Sequence, residues 1–317
     1  MTGFETIKTQ ENEAVEKLVH DSLAGEKELL AGRTENYIAY GLGTRTNLLR
    51  RRSPDTETDE VGDNFLMVPE WDLTAVFDGV SQANGAAGAK VAADELKKRI
   101  EVMKDKFKPR ETTVVEARKV LLALLRSVNG VLSDWNKDKH QSEQYLTTMT
   151  LSMRVGAEMI VVNIGDSRAY YQRAGQPLEA VTVDYDAMRY DLEQRGKVPT
   201  TIDEVTGQGG QNIAEIRAAQ SRRPKMLANR VSRLLGQSSR LDFAADVYVR
   251  KVKSGDRFML CSDGIVKEVR EENLADSLSP FTNRNFKDSA AEIMADATRT
   301  EYDHEHDDKV LAVVEIK

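Results

Sequence analysis

The sequence predicts an α+β fold in which antiparallel sheets carry helices on their outer faces. Strand-like and helix-like segments come in blocks rather than in βαβ alternation: strands, two helices, a run of strands, a polar insertion, strands, a helix and a final strand. Three or four strand-like segments between about 147 and 183 are joined by short turns such as Gly156-Ala157 and Ala174-Gly175, which suit hairpins. No GxGxxG or GxxxxGK[ST] loop occurs, so phosphate-loop nucleotide chemistry has no support. A chain of 317 residues has room for two domains, although one large two-sheet sandwich absorbs most of it.

The elements follow in order. Ile7, Val15, Leu18, Val19 and Leu23 lie near helical spacing in a charged background, which predicts an amphipathic helix over residues 7 to 30, within an N-terminal helical extension at 1–35. The apolar stretch Tyr37 to Tyr40 predicts a strand, SPDTETDEVGD a long loop, and Asn64 to Val68 a second strand. In WDLTAVFDGVS a buried strand stops at Phe77, which leaves Asp78 at its exit. A helix opens at about Ala86, with Val91, Leu96, Ile100 and Met103 on one face. A second follows Pro109, where Val114, Ala117, Leu121, Leu124, Val128, Leu132 and Trp135 recur every three or four residues.

The segments TTMTLSMRV, MIVVNIG, SRAYYQ and LEAVTVD then read as strands, and the run Met159 to Val162 marks one covered on both faces. From Tyr185 to Ser239 the chain is polar and partly helical, an excursion from the sheet with TGQGGQ at its middle. Strands resume at ADVYVRKV and DRFMLCSDG, a helix carries Phe286, Ala290, Ile293 and Met294, and VLAVVEI closes the fold.

Composition excludes several function classes. With 45 Lys and Arg against 52 Asp and Glu, the net charge of -7 gives no general attraction to nucleic acid or to an anionic membrane. The single cysteine, Cys261, cannot form an internal disulfide and reads as a small core residue in an apolar strand. No apolar run approaches the roughly 18 residues of a membrane span, and the polar start MTGFETIKTQENE does not read as a signal peptide. These features predict a cytoplasmic protein.

The chemistry concentrates where strands deliver aspartates into turns: Asp78 in AVFDG, Asp263 in MLCSDG, and Asp307 and Asp308 ahead of the last strand. Any one of these is an ordinary turn residue. Together they suit a hard cation, which needs several anionic oxygens brought from distant parts of the chain and held by rigid elements. A glycine after Asp78 would also let the Gly79 backbone approach an ion closely.

Six segments in order, VFDGVSQANGAAGAKVAA, LTTMTLSM, VVNIGDSRAYY, VTVDYD, GDRFMLCSDGIVKEV and DDKVLAVV, resemble the motifs of the metal-dependent, type 2C serine/threonine protein phosphatases. The resemblance covers residues 36 to 316. It implies a four-layer α-β-β-α sandwich at 36–317, with 185–239 as a flap-like insertion. It implies two Mg²⁺ or Mn²⁺ ions, with Asp78 bridging both, the carbonyl of Gly79 on one, and Asp263 and Asp307 on the other. Asp63, in VGDNF, would hold metal-bound water. A water or hydroxide bridging the two metals would hydrolyse the phosphomonoester of a phosphoserine or phosphothreonine protein, without a covalent enzyme intermediate.

The sequence also departs from the family pattern. Thr58 stands where the family has an arginine, and Arg45, in GLGTRTN, is preferred to the run Arg50 to Arg52 as the phosphate-binding side chain. Val80 stands where some members carry a histidine. Lys267 replaces an aspartate that often joins the equivalent of Asp166 on a third metal. Its ammonium is therefore expected opposite Asp166, with no third ion unless Glu268 substitutes. Asp308 and Val310 replace an asparagine and a threonine, and His304 and His306 read as solvated loop residues. The rival reading is a pseudophosphatase, the same fold kept as a regulatory binding module.

Overall fold

The computed structural model describes residues 27–34, 37–44, 62–81, 83–222, 230–237, 244–279, 286–299 and 308–317. Its strands are β1 (Lys27–Thr34), β2 (Tyr37–Thr44), β3 (Asn64–Val68), β4 (Leu73–Phe77), β5 (Met149–Val155), β6 (Glu158–Ile164), β7 (Arg168–Gln172), β8 (Glu179–Ala180), β9 (Asp246–Lys251), β10 (Arg257–Cys261) and β11 (Lys309–Ile316). They form two sheets, ordered β1-β2-β11-β10-β7-β8 and β3-β4-β5-β6-β9. Every ladder between these strands is antiparallel.

Side-chain alternation along the strands builds the layers. In β6, Met159 and Val161 join Phe258, Leu260, Val310 and Ala312 between the two sheets. Their neighbours Ile160 and Val162 face the other way, against Leu96, Leu121, Leu125 and Val128 of the helices. The run Met159 to Val162 is thus covered on both faces, as its composition predicts. The other sheet buries Met259, Cys261, Leu311 and Val313 against a second set of helices. The result is the predicted α-β-β-α sandwich.

The outer helices fall where periodicity predicts them. Helix α1 (Gly85–Met103) buries Gly85, Gly88, Ala89, Ala92 and Ala93, and these small residues let it lie close to its sheet. A Cβ at Gly88 would stand 2.8 Å from the Leu146 nitrogen. Helix α2 (Val114–Asn136) starts from a capping box in which Thr113 and Glu116 satisfy each other's backbone N–H. Trp135 departs from the expected buried face: it is 50% exposed and meets Tyr145 edge-on at 5.5 Å. The excursion after β8 contains α3 (Ala187–Gln194) and α4 (Ile213–Gln220). On the other outer face lie α5 (Asp263–Val266), α6 (Glu271–Leu278) and α7 (Phe286–Arg299); of these, periodicity indicated only the last.

The N-terminal expectation needs correction. Residues 27–34, assigned to the helical extension at 1–35, form edge strand β1, paired along its length with β2 from Lys27 opposite Thr44 to Thr34 opposite Tyr37. Gly32 disfavours helix there, and the ladder offered by β2 overrides a weak local pattern. The remainder of the predicted helix, residues 7–26, lies outside the described residues.

A buried charged cluster ties the excursion to the sandwich. Asp246, at the start of β9, accepts five hydrogen bonds: two from Arg189 at 2.5 and 2.9 Å, and one each from Tyr185 and Tyr248 hydroxyls and the Ile202 N–H at 2.6, 2.8 and 2.7 Å. The Arg189 guanidinium lies 3.6 Å from the Tyr185 ring centre and also donates to Glu193, which Arg233 pairs from the other side.

Candidate metal centre

Strand register brings the aspartates to one end of the sandwich. The β3–β4 ladder ends with Asn64 opposite Phe77, so Asp63 and Asp78 leave that sheet side by side. In the facing sheet Cys261 is opposite both Arg168 and Leu311, so Asp166, Asp263 and Asp308 leave at the corresponding strand ends. Carboxylate oxygens of Asp78, Asp166 and Asp263 all lie within 4.8 Å of one another. Asp63 is buried at the same edge, 8% exposed.

Local chemistry fixes these positions. The Asp78 N–H donates to the Thr148 hydroxyl at 3.2 Å, while the Asp78 carbonyl accepts from the Thr147 hydroxyl and the Thr148 N–H at 2.8 and 2.9 Å. Thr148 and Ser167 share a buried hydroxyl hydrogen bond of 2.7 Å, which couples the turn after β4 to the one before β7. Gly79 leaves no room for a side chain, since a Cβ would fall 2.3 Å from the Gly62 carbonyl and 2.5 Å from Gly85. The Gly62 N–H donates to Asp308 at 2.6 Å, which closes the edge between the sheets.

The electrostatics identify what the cluster can hold. Two unit negative charges about 5 Å apart repel by roughly 3 kcal/mol at an effective dielectric of about 20. Burial first, then the charges of Asp263 and Asp184, push the Asp166 carboxyl well above the usual carboxylate range, against the pull of Lys267. Lys267 places its ammonium 2.5 Å from Asp263, so the ion pair forms with that carboxylate rather than only opposite Asp166 as expected. Arg168 does not serve the cluster's charge: it grips Asp184 with two bonds of 2.9 and 2.8 Å and donates to Tyr170. Carboxylate oxygens dominate the donor set, which suits hard divalent cations. The Cys261 thiol lies in the core just behind, where burial pushes it up to about 12, so no thiolate competes as a ligand.

Of the residues singled out in sequence, the structure brings Asp78 and Asp263 together and puts Gly79 and Asp63 at the same edge. Asp307, Arg45, Arg50 to Arg52, His304 and His306 lie outside the described residues. Asp166, reserved in sequence for a third ion, stands in the same cluster as Asp78 and Asp263. The roles of Thr147, Thr148 and Ser167 as braces were not read; the signal was polar residues at strand ends inside apolar runs.

This fold carries an acidic edge suited to hard cations. The sequence profile of the protein phosphatase 2C family matches residues 57–299. The chain belongs to the protein phosphatase 2C family. A search of curated proteins finds no match. Among solved structures, the serine/threonine phosphatase PstP of Mycobacterium tuberculosis is 22% identical with a TM-score of 0.62, covering 89% of this chain and 99% of its own. PppA, a regulatory component of the type VI secretion system in Pseudomonas aeruginosa, is 20% identical with a TM-score of 0.60, covering 91% and 100%. Stp1 of Staphylococcus aureus is 16% identical with a TM-score of 0.61, covering 93% and 96%. At these identities the likeness establishes the shared fold. No helix among the described residues is long and apolar enough to cross a membrane.

Proposed function

We propose that the chain is an active phosphoprotein phosphatase that hydrolyses phosphoserine and phosphothreonine at the acidic edge. The carrying observation is the convergence of Asp78, Asp166 and Asp263 from two sheets. Asp78, the Gly79 carbonyl, Asp263 and Asp307 are the residues that would hold two Mg²⁺ or Mn²⁺ ions. A structure of the related PstP catalytic domain, 21% identical, is described as a complex with two manganese ions, which supports that reading. Bound there, the ions would supply Lewis-acid polarisation of the phosphate and a water of lowered pKa.

The chain's own groups do the remaining work. Asp63, buried beside Asp78, would hold metal-bound water at the edge. Thr147 and Thr148 hold the Asp78 turn rigid, so the carboxylate need not reorganise. Arg45 follows Thr44, whose partner in the ladder is Lys309, next to Asp308; chain order therefore favours it as the phosphate-orienting guanidinium. Val80 cannot donate a proton, so water must protonate the leaving hydroxyl.

The ion pair of Lys267 with Asp263 favours the second reading, a pseudophosphatase that keeps the fold as a binding module. Phosphopeptide hydrolysis in Mn²⁺ separates the two. The enzyme reading expects turnover by the wild type and a loss of about 10²–10³-fold in Asp263→Asn, the scale of removing one electrostatic group from a site. Equal or absent turnover in both proteins would favour the binding module.

A further inference from the structure

We propose that the Lys267 ammonium is a tethered cation that occupies part of the acidic edge, so that the chain binds one divalent ion fewer than its carboxylates would otherwise hold. The inference rests on the metal-centre reading above. Three carboxylates meet within 4.8 Å, and the Lys267 ammonium sits 2.5 Å from one of them. The geometry is built in: the Lys267 N–H donates to the Asp263 carbonyl at 2.9 Å, closing a helical turn that puts both side chains on one face. An ammonium donates three hydrogen bonds and has no lone pair, so it satisfies part of a carboxylate and competes with a metal there without being able to ligate one. Asp166, just before β7, and Asp263, just after β10, leave the same sheet at neighbouring strand ends. Lys267 therefore serves the Asp166 and Asp263 side of the cluster, while Asp78 lies on the side nearer Asp63 and Gly79.

Lys267 is 33% exposed and Asp263 17%, so the ammonium offsets the Asp263 charge from the solvent side without itself being deeply desolvated. A free cation pays translational entropy on binding, whereas a tethered one does not.

The test counts Mn²⁺ ions per chain at saturation by electron paramagnetic resonance with equilibrium dialysis, for the wild type, Lys267→Met, Lys267→Gln and Lys267→Arg. Circular dichroism establishes that each is folded. The expected result is one additional ion in both neutral variants, the wild-type count in Lys267→Arg, and a lower melting temperature of the neutral variants in chelator that Mn²⁺ restores. Equal counts in the wild type and both neutral variants would overturn the proposal, whether those counts are zero or more. A wild type that binds no Mn²⁺ overturns the two-ion phosphatase reading in either case, and ions gained only by the neutral variants would leave the tethered cation standing.

Discussion

Two buried charged clusters in this protein are built on opposite terms. Around Asp246 a carboxylate is matched by a bidentate guanidinium, two phenols and a backbone N–H, all from the chain itself. Burial and then the Asp246 charge raise the Tyr185 and Tyr248 hydroxyls well above their ordinary value, so both stay protonated as donors. Around Asp166 three carboxylates face one another, with the Lys267 ammonium beside Asp263. The first cluster is electrically closed and holds the excursion of α3 and α4 onto β9. The second brings carboxylates from two sheets within 4.8 Å of one another, a donor set that suits divalent cations. Burial of charge therefore does not by itself mark a functional site; like charges brought together from distant strands are the sharper sign.

Breaking the closed cluster has the larger expected effect. Asp246→Ala leaves Arg189, which is fully buried, without its principal counter-ion. Removing one partner of a buried pair costs about 3–5 kcal/mol, and urea denaturation of the full chain should show a loss of that size. A loss below about 1 kcal/mol would mean that the two clusters do not differ as described.

The open cluster should respond with the opposite sign. A carboxyl whose folded pKa lies above its ordinary value of 3.8 carries no penalty in acid, and the penalty grows as pH rises through 3.8 toward the folded value. In chelator at pH 7, Asp166→Asn should therefore stabilise the protein, by about 1–3 kcal/mol on the scale of like-charge repulsion at this separation. The gain should fade toward pH 4, and saturating Mn²⁺ should shrink or reverse it. A destabilised variant in chelator would show that Asp166 is already balanced by the chain.

The same contrast explains what was legible in sequence. The metal edge could be read because each aspartate follows or precedes an apolar run, and a run of known period ends at a known place. Asn64 to Val68 and the stop at Phe77 illustrate this. Helices α1 and α2 were legible from their long apolar periodicity. The closed cluster could not be read: Tyr185, Arg189, Ile202 and Asp246 are scattered over a polar stretch and look like solvated surface until the chain folds. β1 was misassigned because an edge strand draws its stability from its neighbour's backbone rather than from its own pattern. Trp135 followed the helical period but reached the rim of the packed face, where only its edge meets Tyr145. The partner of Lys267 depended on one turn of backbone after Asp263, a detail below the resolution of motif matching.

Asp256 supplies an intermediate case that sharpens the contrast. It accepts from Arg173 at 2.9 Å, from the Tyr171 hydroxyl at 2.7 Å and from the Lys253 N–H at 3.0 Å, so it too is matched by the chain. Arg173 is 31% exposed, however, and water shares its charge. Burial raises the Asp256 carboxyl, but Arg173, Tyr171 and the Lys253 N–H together bring it below its ordinary 3.8. A depressed folded value means that the ionised form stabilises the fold above pH 3.8, and that this contribution is lost as pH falls through the folded value. Asp256→Asn should cost about 1–2 kcal/mol at pH 7, less than the loss at Asp246, because hydrogen bonds to a charged group are partly replaced by solvent there. The cost should shrink in acid, once the pH has fallen through the folded value and the wild type is also protonated. Denaturation curves at the two pH values decide it: an equal cost at both would mean that shape and neutral hydrogen bonding, rather than charge, hold this corner of the sheet.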